Sequence, residues 1–298
     1  MGCGFWEIIN YSFISPKALQ DLQLFPPDQR AHPLRIHNPL SDDQSAMRTT
    51  LIPGLLQVAL YNAHRQNFDL KLFELGRAFF PREDQELPEE VEFLSGLLSG
   101  LREEEAWSGP RAECDLFDLK GTLERLLEGL GVFGCQFLAL QDEPFLHPGK
   151  ACRLEVNGKV LGGMGELHPD VRKTWELDQP IFIFEINFQV LAEEIKEHRG
   201  FRPLARFPAI IRDLALIVDE EIPAGNLLQT LWEANGGLIS EVKLFDLYQG
   251  KPVPPGKKSL AFRLKYQEED RTLTDREVNQ LHQKVTDSLI ERYGGILR

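Results

Sequence analysis

The sequence predicts an α+β protein in two parts, and three observations carry that expectation. Residues 1–200 read as strands joined by hairpins, with a few interspersed helices and no strand–helix–strand rhythm. The last hundred residues read as β-α-β-β-α-β. Charge divides the chain at the same place: residues 201–298 hold 14 Lys/Arg and 14 Asp/Glu, so the whole net charge of −13 lies in the first 200. Only the C-terminal part can approach a polyanion without strong repulsion. With 298 residues and 42% hydrophobic content, each part can bury a core of its own.

Ser15-Pro16 opens a short helix. Pro39 holds its own φ and pushes Asn38 towards an extended conformation, so Asn38-Pro39-Leu40-Ser41 is a rigid turn. A longer helix runs from Leu51 to Asn67, with Pro53-Gly54 in its first turn and Thr49 or Thr50 as its cap. Arg48 lies between these two fixed points, where a lone guanidinium can grip a phosphate or carboxylate or lock a subunit interface. Leu70 to Phe80 and Val91 to Leu98 are strands; in the first, Glu74 and Arg77 alternate with apolar residues and read as a structural ion pair. Glu103-Glu104-Glu105 reads as a solvated loop. Asp115 caps a helix carrying Leu116, Leu119, Leu123, Leu126 and Leu127. Asn157-Gly158 between apolar runs signals a tight hairpin. Ile181 to Phe188 is a buried strand leading into a closing helix. The break between the parts falls at Glu197 to Pro208, where Pro203 and Pro208 stop a helical pattern from continuing.

In the C-terminal part, Arg212 to Asp219 alternates as a strand. Pro223 to Asn235 reads as a helix with Leu227, Leu228, Leu231 and Trp232 on one side, stopped by Gly236-Gly237. Val242 to Gln249 and Lys258 to Tyr266 are strands joined by a Gly/Pro-rich connection. Thr274-Asp275-Arg276-Glu277 is a capping box that opens a helix with Val278, Leu281, Val285 and Leu289 in a stripe. Ile296 to Arg298 is a short last strand. This order is the ferredoxin-like split arrangement.

Side-chain period two divides the faces of that sheet. Leu214, Leu216 and Val218 share one face and leave Ala215 on the other. Phe245 and Leu247 are expected against the helices, with Asp246 and Tyr248 on the open face. Leu260, Phe262, Leu264 and Tyr266 put Ser259, Ala261, Arg263 and Lys265 opposite. The open face so assembled suits unstacked bases: Tyr248 to stack, Asp246 and Ser259 for base edges, Arg263 and Lys265 for phosphates. Parity alone is equally met by an ordinary solvated sheet face, and a fold does not imply a function.

Other chemistry finds little footing. Cys3, Cys114, Cys135 and Cys152 are scattered without a CxxC pair, which fits a reducing compartment and argues against zinc or a disulfide framework. His147-Pro148 and His168-Pro169 stand alone and read as turn or helix-cap residues. Gly162-Gly163-Met164-Gly165 follows a hairpin strand and lacks a GK[ST], so close sheet packing is the simpler reading. No GxSxG occurs, no apolar run reaches the length of a membrane span, and the N-terminus lacks the pattern of a signal peptide.

Several runs together resemble a known family. They are GFWEIINYSFIS (4–15), NPLSDDQSAMRTTLIPGLL (38–56), LFELGRAFF (72–80), HPGKACRLEVNGKVLGGMGELHP (147–169), FPAIIRDLALIVD (207–219), LFDLYQG (244–250) and KKSLAF (257–262). They resemble, nearly end to end, the C-terminal portion of the bacterial phenylalanyl-tRNA synthetase beta subunit. The resemblance implies a class II synthetase-like antiparallel sheet module over 1–200 and a ferredoxin-fold anticodon-binding domain over 201–298. The family's full beta chain also has N-terminal tRNA-binding and editing domains without counterpart in this sequence, which therefore reads as a piece of such a chain. An active class II module sets an arginine beside an acidic residue in motif 2 and another after a glycine-rich strand in motif 3. Neither arrangement occurs in LFELGRAFF or after Gly162–Gly165, so no catalytic residue is expected here. Catalysis, with ATP and Mg²⁺, is implied for the alpha subunit of a cytoplasmic heterotetramer of two alpha and two beta chains. Arg48, Pro53, Gly54, Glu74 and Arg77 are then expected to brace structure or the subunit interface. The family's anticodon positions appear at Ala215, Asp246, Tyr248 and Ser259, four residues that parity had already put on one face; Arg263 and Lys265 come from geometry alone. The alternative is a stand-alone RNA-binding or regulatory module with no alpha partner.

Overall fold

The computed structural model describes residues 2–82, 85–103, 107, 111–195, 206–234 and 236–298. The chain divides into two compact units, Met1–Arg199 and Gly200–Arg298. Most of the expected break at 197–208 lies outside the described residues, as do Glu104, Glu105 and Asn235.

The first unit opens with short strands β1 (Trp6–Glu7) and β2 (Phe13–Ile14) and helix α1 (Pro16–Asp21), where the Ser15 side chain accepts from the Lys17 amide. Strand β3 (Ala46–Met47) pairs with β2, and helix α2 (Ile52–Ala63) follows. Then come β4 (Leu70–Phe80), β5 (Glu89–Ser99), helix α3 (Leu116–Leu130) and β6 (Gln136–Ala139). The unit ends with β7 (Leu146–Val156), β8 (Lys159–Leu167), helices α4 (Pro169–Thr174) and α5 (Phe188–Glu194), and β9 (Ile181–Asn187) between those two. Seven strands form one sheet in the order β1-β4-β5-β9-β8-β7-β6, antiparallel except at β1–β4.

This sheet is covered on both faces, which is why Ile181–Phe188 is apolar without alternation. Ile181 and Ile183 join the core under α1 and α2, whereas Phe182, Phe184 and Ile186 join the core under α3 and α5. Asp115 and Asp118 complete a capping box on α3, and Gly131 closes it in the left-handed region at φ 79°. At the hairpin tip Asn157 and Gly158 take φ 52° and 78°, the type I′ geometry that the dipeptide favours. Helix α2 stops short of the expected Asn67. Gln66 turns left-handed at φ 59°, and the Asn67 amide returns to the Asn62 carbonyl.

The cap of α2 also differs from expectation. Thr49 donates its hydroxyl to the Arg30 carbonyl and leaves the helix end alone. Thr50 accepts from the Ile52 amide at 3.3 Å, but the stronger cap is Glu185 of β9, which accepts from the Leu51 amide and the Thr50 hydroxyl at 2.9 Å. A carboxylate brought in from the sheet thus serves the positive end of the helix.

The second unit contains β10 (Ile210–Asp219), α6 (Ala224–Glu233), β11 (Ile239–Tyr248), β12 (Lys257–Tyr266), α7 (Asp275–Tyr293) and β13 (Ile296–Leu297). Its sheet runs β11-β12-β10-β13, antiparallel throughout, which is the ferredoxin-like order. Leu214, Leu216, Val218, Leu260, Phe262, Leu264 and Tyr266 pack on Leu227, Leu231, Val278, Val285 and Leu289 of the two helices. Trp232, expected on that apolar side, is 46% exposed instead. The buried face of α6 is centred on Leu227 and Leu231 and takes in Thr230, whose hydroxyl is satisfied by the Asn226 carbonyl and the Tyr293 hydroxyl.

Phe245 is the second correction. A β-bulge between Leu244 and Asp246 inserts one residue, so Leu244 lies opposite Phe262 while Asp246 lies opposite Ala261. Val242 and Leu244 pack partly buried against the core before the bulge. After it Leu247 pairs with Leu260 yet, contrary to expectation, is 54% exposed, and Phe245 is the extra residue and stays outside.

At the start of α7, Glu277 accepts from the Thr274 hydroxyl and amide and from Arg271. The Thr274 hydrogen bonds and then Arg271 hold its carboxyl down at about 2. A depressed carboxylate contributes stability that is present above its unfolded value of about 4.3 and is lost as pH falls towards the folded one. Glu277→Gln should therefore flatten the loss of stability of the second unit between pH 4.5 and 2, as read by thermal unfolding across that window. An unchanged slope would remove Glu277 from the acid response.

Candidate functional site

Two constellations bring the sequence-selected residues together, one in each unit. In the first, Arg48 and Glu74 are almost fully enclosed, at 5% and 2% exposure. Arg48 Nη1 donates to Glu74 Oε1 at 2.6 Å, and Arg48 Nε donates to the Arg77 carbonyl at 2.8 Å. Asn10 Nδ2 donates to Glu74 Oε2 at 2.7 Å. The glycines make room for this cluster: a Cβ on Gly76 would overlap the Arg48 guanidinium, and one on Gly54 would come within 2.8 Å of Asn10 Nδ2. Pro53 is buried in the first turn of α2 beside it.

The expected Glu74–Arg77 pair does not form. Three positions apart on a strand, the two side chains point to opposite faces. Arg77 instead meets Glu90 across the exposed side at 2.7 Å. The backbone of Arg48 holds a neighbour as well: its amide donates to the Ser12 carbonyl at 2.9 Å. With Asn10 turned inward to Glu74, the flanking Ile9 and Tyr11 are left 91% and 77% exposed.

Several other polar groups of the first unit are also committed. A cavity of about 270 Å³ on its sheet is lined by Arg30, Glu143, Glu185, Phe145 and Gly162–Gly163 among others. Arg30 is held by Asp28 and Glu143 at 2.7 Å each, and Glu185 by Thr50, Leu51 and Ser95. Burial pushes both the Glu143 and Glu185 carboxyls up. The Gly162–Gly165 run serves close packing, since a Cβ on Gly162 would strike the Glu185 carbonyl and one on Gly165 would meet Ala151. His147 accepts from the Gly149 amide in a turn, and His168 caps α4 through the Asp170 amide.

In the second unit, the face of the sheet away from the helices carries the other set. Cross-strand pairing puts Tyr248 beside Ser259 and Ile217, and Asp246 beside Ala261 and Ala215. The bulge makes this compatible with the core-facing Val242 and Leu244, because it shifts the parity of β11 by one. Ser259 is not open as expected: it is 3% exposed, and its hydroxyl has no partner among the described residues. Tyr248 donates its hydroxyl to the Lys251 carbonyl at 2.6 Å, which fixes the ring. Arg263, expected to be free for phosphate, forks onto Asp213 at 2.8 and 2.7 Å and lies over the Phe245 ring at 4.9 Å. That hydrogen bond holds the Asp213 carboxyl below its ordinary value, so the pair is ionised and mutually neutralised. Among the described residues Lys243, Lys265 and Asp246 have no ion-pair partner.

Three residues of this face escaped the sequence reading: Lys243, Phe245 and Arg298. Lys243 and Phe245 were hidden by the bulge. Arg298 donates its amide to the Ala215 carbonyl at 3.1 Å, and its guanidinium lies 5.5 Å from the centre of the Tyr248 ring. The parity of the short last strand was the one available signal for it.

For the buried pair, removing one partner should cost far more than removing both. Glu74→Leu is expected to destabilise the first unit by about 3–5 kcal/mol, and Arg48→Met/Glu74→Leu by clearly less. A double-mutant cycle by chemical denaturation reads this; a cost for Glu74→Leu no larger than that of a surface change would show that the pair is not structural.

Comparison with known proteins places the chain. Residues 1–188 match the model of the phenylalanyl tRNA synthetase beta chain CLM domain, and residues 205–298 match the ferredoxin-fold anticodon binding domain. The phenylalanine–tRNA ligase beta subunits of Syntrophotalea carbinolica and Geobacter sulfurreducens are 42% and 41% identical over all of this chain, which spans 37% of each. That of Moorella thermoacetica is 42% identical over 99% of this chain and 36% of its own. With the first match alone covering well over half of its residues, the chain belongs to the phenylalanyl tRNA synthetase beta chain family.

Proposed function

We propose that this chain works within a phenylalanine–tRNA ligase, where its second unit reads the anticodon of phenylalanine tRNA and its first unit braces a catalytic alpha subunit. The observation that carries the reading is the open face of the second sheet. It gathers a fixed tyrosine ring, a carboxylate and a serine hydroxyl without protein partners among the described residues, and small alanines within two adjacent cross-strand rows. Single-stranded bases are recognised by stacking on aromatic rings and by hydrogen bonds to their exposed edges. Tyr248 stacks on a base, Asp246 and Ser259 bond its edge, and Ala215 leaves the space. Lys265 contributes charge for the phosphates; Arg263 serves chiefly to tie β10 to β12 through Asp213.

The first unit is read as a class II synthetase-like module without catalysis of its own. Its candidate cations support this: Arg48 is spent on Glu74, Arg77 on Glu90, and Arg30 on Asp28 and Glu143. Its candidate docking strip is the run around Ile9, Tyr11 and Phe13, apolar yet exposed and pinned from below by Asn10 and Arg48. ATP and Mg²⁺ are used by the alpha subunit, in the cytoplasm of a cell whose enzyme contains two copies of each chain.

Two outcomes follow. Tyr248→Ala should weaken binding of phenylalanine tRNA by about 1–3 kcal/mol in a filter-binding titration, the worth of one base–aromatic stack. Full affinity in a folded variant would remove Tyr248 from the site. Phenylalanine-dependent ATP–pyrophosphate exchange should be absent from this chain alone and appear when the alpha subunit is added; exchange by the chain alone would overturn the non-catalytic reading.

A further inference from the structure

We propose that Arg298 is part of the RNA-binding face, holding the place of a base on Tyr248 in the free protein and turning to a phosphate when the base arrives. The inference rests on reading this face as an anticodon site.

The geometry comes from both outer strands. Leu297 lies opposite Leu216 of the core-facing set, and the next residue, Arg298, bonds the Ala215 carbonyl on the open-face register. Strands β13 and β11 are the two edges of the sheet, with β10 and β12 between them. Three strand spacings of about 4.8 Å separate them, roughly 14 Å in all, so Arg298 and Tyr248 meet only by leaning across the middle. Between them on this face Ala215, Ala261 and Ser259 are small, with Ile217 beside Ser259. The result is a guanidinium over the tyrosine ring, with Ser259, whose hydroxyl has no partner among the described residues, paired beside that tyrosine.

The Ser259 hydroxyl has no protein partner among the described residues, which leaves it available to the edge of a base. The guanidinium is weakly held on the Tyr248 ring. An exposed cation–π contact is weaker than the stacking of a base on an aromatic ring. A base therefore displaces the guanidinium from the ring and comes within reach of the Ser259 hydroxyl. Arg298 has no carboxylate partner among the described residues, and its neighbour Arg263 has already taken Asp213. The released cation is free to pair with the RNA backbone. Arg298 thus prepares the ring in the free state and adds one phosphate contact in the bound state.

The test uses the full chain and an anticodon stem-loop of phenylalanine tRNA, with affinity measured across a series of salt concentrations. Arg298→Ala should lower the slope of log affinity against log salt by about 0.7, the share of one phosphate contact to a single strand. Arg298→Lys, which keeps the charge, should restore the slope. Tyr248→Ala should weaken binding and leave the slope in place. An unchanged slope for Arg298→Ala, or tighter binding without a change of slope, would reduce Arg298 to a mere cover and overturn the proposal. Loss of the stem-loop's response to both Tyr248→Ala and Arg298→Ala would instead overturn the anticodon reading itself.

Discussion

The buried ion pair between Arg48 and Glu74 is the constraint on which the first unit's architecture turns. Two charges taken out of water must satisfy each other and their remaining lone pairs and protons, or the fold loses several kcal/mol. Every neighbour follows from that demand. Asn10 turns inward to the second Glu74 oxygen, the Arg77 carbonyl takes Arg48 Nε, and Gly54 and Gly76 give up their side chains to make room. The same arrangement turns Ile9 and Tyr11 outward, so one interior pair sets the presentation of an exposed apolar strip. The arginine that first suggested a ligand grip is held too tightly for one.

In the second unit the corresponding constraint is a single inserted residue. Without the bulge at Phe245, the core-facing, partly buried Val242 and Leu244 would force Asp246 and Tyr248 into the core register. The bulge lets β11 serve its core at one end and the open face at the other, and bulges are found where a side chain must be re-aimed. It also brings Phe245 onto Arg263, which with Asp213 forms a closed polar patch at mid-sheet. The free cations that remain, Lys243 and Lys265, lie to one side of that patch, and Arg298 lies towards the other.

Much of this was legible in the chain because it depends on local chemistry. Helix caps at Ser15, Asp115 and Thr274 and the turn at Asn157-Gly158 are specified by side chains within a few residues of the backbone they serve. The apolar stripes of β10, β12 and α7 follow from periodicity alone. What escaped depends on partners far apart in sequence. Glu185 caps α2 from 134 residues away, and Glu74 chooses Arg48 over the nearer Arg77. The bulge left no mark either, since Phe245 and Leu247 alternate as convincingly as Val242 and Leu244. Ser259 shows the same limit: parity finds its face, but not its 3% exposure, and the contact of Arg298 with Tyr248 on that face joins residues 50 positions apart.

The central claim is that the second unit's open face meets the anticodon. Hydroxyl-radical footprinting of phenylalanine tRNA bound to this chain tests it most directly. The account predicts protection of the anticodon loop that disappears with Tyr248→Ala. Protection confined to the acceptor arm, or an anticodon footprint unaltered by that substitution, would contradict it.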